Sequence, residues 1–213
     1  MNSIESVTLE VADLTAATAF YTAFGLATHI ALRPASEAPT TGFRGFSLSL
    51  TTSQPADVRA LITAALDAGA TPLKPAAKSF WGYGGVVQAP DGTIWKIATS
   101  SKKDTAPAAR KFNEMVLLLG ATDVLESKQF YITHGLSVTK SFGRKYVEFA
   151  TGSSPVKLAL YGRRALAKDV GVPADGTGSH RVVLGSIPDE TTGPFTDPDG
   201  FTWEPAPSLT PTN

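Results

Sequence analysis

The sequence predicts an α+β protein in which one strand-helix-strand pattern is used twice. Two observations carry that reading. A turn followed by a hydrophobic strand occurs at Ala89-Pro90-Asp91-Gly92-Thr93-Ile94-Trp95-Lys96 and again at Asp197-Pro198-Asp199-Gly200-Phe201-Thr202-Trp203-Glu204. In addition, Asp13, Phe20, Tyr21, Gly25 and Leu26 recur at a constant offset as Asp123, Phe130, Tyr131, Gly135 and Leu136. Self-similarity on this scale decides architecture before any single element does.

In each turn Pro presets φ, Asp bonds its own backbone and Gly accepts a positive φ. Strand residues alternate faces. Trp95 and Trp203 therefore point one way, and Lys96 and Glu204 the other. One copy ends in a cation and the other in a carboxylate, a difference with direct consequences for chemistry.

The elements follow in order. Val7, Leu9 and Val11 alternate with polar residues as in a half-buried strand. Asp13 or Thr15 caps the next segment, where Leu14, Ala17, Phe20, Tyr21 and Phe24 recur at helical spacing and Gly25 supplies the stop. Ala27 to Leu32 reads as a strand, and Arg33 to Gly42, with Pro34 and Pro39, as a loop. Phe46, Leu48 and Leu50 alternate again. Pro55 opens a second helix with the stripe Val58, Leu61, Ile62, Ala65 and Leu66, closed by Gly69. Strands through Leu73, Trp81 to Gln88 and Ile94 to Ala98 complete this copy, residues 1–99.

Residues 100–111 have no periodicity and read as a linker. The second copy spans 112–207, with a tail at 208–213. Its strands are Glu114 to Leu119, Leu136 to Phe142, Lys145 to Ala150, Val156 to Tyr161 and His180 to Leu184, with a helix after Asp123. Gly171 to Ser179 is Gly-rich, matches no phosphate-loop spacing and reads as a connector. The copies are abridged differently. The first has little room for strands between Leu32 and Phe43. The second has no counterpart of the Val58–Leu66 helix. Such complementary gaps leave open that the strands of one copy complete the sheet of the other.

Composition excludes several classes. Lys+Arg 19 against Asp+Glu 19 gives no basic surplus for nucleic acid or an anionic membrane. The absence of Cys removes disulfides and thiolate chemistry. The expectation is a cytoplasmic protein with a small-molecule ligand, no nucleic-acid or membrane partner, and a monomeric or homodimeric state.

The Asp13…Phe20-Tyr21…Gly25-Leu26 pattern and the closing Pro-Asp-Gly-x-x-Trp strand resemble the vicinal oxygen chelate superfamily, which includes glyoxalase I, bleomycin-resistance proteins and extradiol dioxygenases. The resemblance spans nearly the whole chain. It implies tandem degenerate βαβββ modules whose curved mixed sheets form a cup. Catalytic members hold a divalent metal there through His and carboxylate ligands, since such a metal needs N/O donors and open positions.

Carried over by position, the first copy lacks those ligands. Ser6 stands at the first-strand position, Phe46 or a neighbour at the next, and Lys96 at the last. The second copy keeps two: His180 opens its strand and Glu204 stands at the terminal carboxylate position. Val116 and the Leu158–Ala159 region supply none. Glu148 or Tyr161 are substitutes on geometry alone.

Two readings follow, with a third behind them. One is a small-molecule binder without a complete metal site and without a cofactor, its cavity lined by Trp81, Tyr83, Lys96 and Tyr146. Phe80-Trp81-Gly82-Tyr83-Gly84-Gly85 motivates it, because glycines between aromatics permit close approach to flat apolar surface. The alternative is a glyoxalase-like lyase or isomerase, or a dioxygenase, with His180 and Glu204 as catalytic residues on a divalent metal. The third is a partner-binding role in which one copy scaffolds the other. Glu204 needs a partner if buried, and Lys96, Arg144, Lys145 and Arg181 are candidates. Lys157, Arg163 and Arg164 read as a solvated face.

Overall fold

A computed structural model describes residues 4–36, 38–186 and 193–206. The 208–213 tail expected from sequence lies outside them. The elements are β1 (Ile4–Val11), α1 (Leu14–Phe24), β2 (Ala31–Pro34), β3 (Thr41–Gly42), β4 (Phe46–Thr51), α2 (Pro55–Asp67), β5 (Thr71–Ser79), β6 (Gly82–Gln88) and β7 (Ile94–Thr99). They continue with β8 (Glu114–Ala121), α3 (Val124–Thr133), β9 (Val138–Phe142), β10 (Tyr146–Phe149), β11 (Val156–Gly162), α4 (Arg163–Val170), β12 (Gly176–Thr177), β13 (Val182–Ser186), β14 (Phe195–Thr196) and β15 (Thr202–Pro205).

The main sheet runs β5-β6-β7-β4-β8-β11-β10-β9. It joins two similar halves. In one, β4 is parallel to β7, with β6 and β5 added antiparallel; in the other, β8 is parallel to β11, with β10 and β9 added antiparallel. Each half has βαβββ order, because α2 follows β4 and α3 follows β8. The halves meet where β4 pairs antiparallel with β8, from Phe46 opposite Leu119 to Thr51 opposite Glu114.

The second sheet runs β14-β15-β13-β1-β2 and also draws on both ends of the chain. β1 and β2 have no further strands of their own beside them. β13 pairs antiparallel with β1, and β15 lies parallel on β13. The strands missing from one end are thus supplied by the other.

The core lies between the two sheets. Val7 and Leu9 of β1, Leu48 of β4, Trp95 of β7, Leu117 of β8 and Trp203 of β15 belong to one buried cluster. Helix α1 fills it with Phe20, Tyr21 and Phe24, the last two in ring contact with Trp95. Asp13 caps α1 by accepting from the Ala16 amide, and Gly25 ends it in the left-handed region, as the residue pattern predicts. Tyr131 repeats the role of Tyr21, packing on Phe149 and Trp203.

The sequence reading misses one helix and three two-residue strands, β3, β12 and β14. Arg163–Val170 is a helix, α4, where charge placement suggested only a solvated face. The signal is present in Leu166, Ala167 and Val170, all buried, followed by the left-handed cap Gly171. The 33–42 loop also holds β3, paired with β12 in the segment expected to be a plain connector. The strand expected at 180–184 begins two residues later, because Arg181 takes φ 58 and breaks the extended run.

Candidate functional site

Strand register decides which side chains share the outer face of the main sheet, away from the core. Val86 is opposite Lys96, Lys96 opposite Ser49, Ser49 opposite Val116, and Val116 opposite Lys157. Directly opposed residues point to the same face, so these five form one row across β6, β7, β4, β8 and β11.

Helix α4 sits on that surface. Its Leu166, Ala167 and Val170 pack with Val86, Ile94 and Phe43, and Leu118 and Tyr161 flank them. Polar bonds fix its C-terminal end. Lys96 Nζ is 2.6 Å from the Asp169 carboxylate, and Lys74 Nζ donates to the carbonyl oxygens of Lys168 and Asp169 at 2.8 and 2.6 Å. A cation on the last-turn carbonyls of a helix offsets their partial negative charge. Helix α4 thus covers part of this sheet face.

Of three cavities that border α4, two hold residues singled out from sequence as site candidates. One, of about 360 Å³, lies between its C-terminal end and the β5–β6 hairpin. Ala77, Gly84 and Ala98 give it a floor of small side chains, Lys96 and Asp169 a polar wall, and Trp81 a lip. Trp81 is 82% exposed and stacks edge-on against Phe80, itself 80% exposed. Gly82, with φ 138, is required at the turn that presents them: a Cβ there would stand 2.0 Å from the Thr99 carbonyl oxygen.

The other cavity is larger, about 620 Å³, and is bordered by Arg163, His180, Asp175 and Asp199. Most of its polar groups are already committed. Arg163 donates to the carbonyls of Ala174 and Phe43. Asp199 accepts from the Thr122 amide and the Ser127 hydroxyl, both at 2.7 Å. These contacts brace the junction between α4, the 171–181 segment and β15, and leave few groups to recognise a ligand.

The residues singled out from sequence fall in three places. Trp81, Tyr83 and Lys96 border the smaller cavity. Within it Tyr83 is turned toward α2: Arg59 lies over its ring and its hydroxyl donates to the Ala76 carbonyl. Tyr146 is elsewhere on the same sheet face. Its hydroxyl donates to Glu148 at 3.0 Å, and Lys157 bridges Glu148 and Glu114. Burial, then the bond to Glu148, pushes the Tyr146 phenol up. Burial alone would raise Glu148, but Lys157 and Tyr146 outweigh it and hold that carboxyl below its usual range.

His180 and Glu204 do not converge. His180 lies before β13, level with the 197–200 turn and bonded to its Asp199 carbonyl, whereas Glu204 lies in β15 opposite Gly185. Both His180 ring nitrogens face carbonyl oxygens, those of Arg44 and Asp199, and the ring stacks on Phe201. Neither nitrogen presents a free lone pair outward. Glu204 is held by Arg33 at 2.9 Å, and Arg33 also binds Glu10. The Lys96–Glu204 pair considered from sequence is replaced by two others, Lys96–Asp169 and Arg33–Glu204.

This donor set does not fit a divalent cation. Among the described residues no three His, Asp or Glu groups gather around a common point. The carboxylates nearest the expected positions are tied to Arg33 and Lys157, and a lysine, Lys96, stands within β7. Sequence reasoning also missed Asp169, Lys74 and Lys78 as neighbours of the cavity. Asp169 could not be placed without recognising α4.

Comparison with solved structures agrees with this topology. A putative dioxygenase from Bacillus subtilis subsp. subtilis str. 168 superposes with a TM-score of 0.58 at 12% identity, covering 94% of this chain and 83% of that one. Glyoxalase I from Zea mays gives a TM-score of 0.54 at 15% identity, over 94% and 90% of the two chains. A V278E variant of the maize enzyme gives 0.58 at 14% identity, over the same shares. No protein-family model matches the chain, and no curated protein matches it by sequence. The chain has the vicinal oxygen chelate fold, a likeness of architecture at these identities. No described helix is long and apolar enough to cross a membrane.

Proposed function

We propose that this protein binds a small organic molecule in the cavity between the β5–β6 hairpin and the C-terminal end of α4, without metal chemistry. The observation that carries this is the meeting of Trp81, Lys96 and Asp169 around one space of about 360 Å³. That volume lies within the range of small-molecule sites, and the mix of apolar floor and few polar groups is their usual lining. Trp81 and Phe80 expose adjoining rings at the lip of this cavity, a contiguous apolar surface of the kind that marks a ligand site. Residues 1–99 and 112–207 are read as two abridged copies, each completing the other's sheet, in a cytoplasmic monomer or homodimer.

The metal-dependent lyase or dioxygenase reading has less support. It needs His180 and Glu204 on one ion, whereas each is committed to different protein partners.

Fluorescence titration tests the proposal. Trp95 and Trp203 are fully buried, so an added quencher reports on Trp81. A panel of small aromatic and aliphatic compounds is expected to contain saturable quenchers whose binding is lost in Trp81→Ala. A panel with no saturable quencher, or quenchers indifferent to that substitution when binding is followed calorimetrically, would overturn it.

A further inference from the structure

Resting on that reading of the cavity, we infer that its ligand is a flat organic anion, a carboxylate or sulfonate carried on an aromatic ring. Charge and shape both lead there. Two lysines on the face of the floor, Lys74 and Lys96, border the cavity against one carboxylate, Asp169. That carboxylate is the partner of Lys96. Lys74 gives two of its three N–H groups to the end of α4, and an ammonium has three to give. Lys78, opposite Tyr83, points to the α2 face toward Asp104 and adds no donor above the floor. The cavity therefore holds surplus positive charge, with one donor of Lys74 unspent, beside low-dielectric walls that strengthen attraction to an anion.

Shape supplies the second half. The floor is Ala77, Gly84 and Ala98, on adjacent strands and on one face: Ala77 is opposite Gly84, and Gly84 opposite Ala98. No side chain longer than a methyl rises from it. Gly84 keeps it low, since a Cβ there would stand 3.0 Å from both the Ala98 methyl and the Ile97 carbonyl oxygen. A planar ring lies flat on such a floor, with Trp81 at its edge for stacking. An acidic substituent then reaches Lys96, which points from the same face as Ala98 on β7.

Naphthoate and its uncharged amide test the inference, with binding followed by Trp81 quenching and calorimetry on the full chain. Naphthoate is expected to bind at least tenfold more tightly than the amide. The preference is expected to shrink several-fold as salt is raised, since partly exposed charges are screened. Lys96→Met is expected to remove most of the preference, weakening naphthoate at least several-fold more than the amide; its thermal unfolding checks that the fold survives. Equal affinity for the two compounds, with both lost in Trp81→Ala, would overturn the charge assignment but leave the site standing. Failure of both compounds to bind, or binding unaffected by Trp81→Ala, would overturn this inference together with the proposed site.

Discussion

The hydroxyl of Tyr131 donates to the Asp197 carboxylate at 2.6 Å, within the buried ring contact that Tyr131 makes with Trp203. The same relationship recurs in the other half, where the Tyr21 hydroxyl donates to Asp91 at 2.8 Å beside Trp95. In both places a helix tyrosine holds the turn that launches a closing strand. Asp197 also accepts the amides of Asp199 and Phe201, and Asp91 that of Thr93. The two bonds differ in burial, since Asp197 is 5% exposed while Asp91 is half-buried.

That difference predicts unequal costs. Tyr131→Phe leaves a buried carboxylate short of a donor and is expected to cost about 1–3 kcal/mol. Tyr21→Phe is expected to cost less, because water can reach Asp91. Urea denaturation of both variants checks the order; a larger loss in Tyr21→Phe would refute it.

Asp197 also predicts a pH dependence. Burial raises its carboxyl above the usual range, despite the bonds from Tyr131 and the backbone amides. The folded protein then holds this proton to higher pH than the unfolded chain does. Stability from this group is present below the unfolded value, about 4, and is lost as pH rises through the folded value. Asp197→Asn does not titrate. Relative to wild type, it is expected to gain stability as pH rises from about 4 through the raised folded value, as measured by paired denaturation curves.

Leu166 anchors α4 on the sheet and is fully buried. Leu166→Ala is expected to cost about 2–5 kcal/mol through the cavity it leaves. Because α4 covers the sheet face, the variant is also expected to become susceptible to proteolysis within residues 163–180 before global unfolding. Cleavage sites mapped by mass spectrometry settle this.

Asp169→Asn removes the partner of Lys96 at a half-exposed position. A pair of this kind stabilises by no more than about 1 kcal/mol, so little change in unfolding is expected. The cation released is expected to improve naphthoate affinity several-fold, an effect visible by calorimetry. Weaker binding would mean that Asp169 itself contacts the ligand.

Arg33 tells a similar story on the other sheet. With Arg33 and Glu204 each 38% exposed, Glu204→Gln is expected to cost under about 1 kcal/mol and to leave ligand binding unchanged. Protein equilibrated with manganese or zinc and then desalted is expected to carry well under one ion per chain, with or without the substitution. Stoichiometric retention in wild type that falls in Glu204→Gln would show that the carboxylate leaves Arg33 for a metal.

What the sequence determined by itself is local or repeated. The caps Asp13 and Asp123, the closing strands with Trp95 and Trp203 buried, and the apolar stripe of α2 all obey rules that act within a few residues. So did the loss of metal-binding residue types, since Ser6, Val116 and Lys96 need no fold to be recognised as poor ligands. Tertiary structure alone decided partnership. Lys96 meets an aspartate 73 residues away and Glu204 an arginine 171 residues away. Those pairings depend on β4 lying against β8, β13 against β1, and α4 folding back onto the sheet. Side-chain alternation says which face a residue takes; only the pairing of distant strands says what that face will meet.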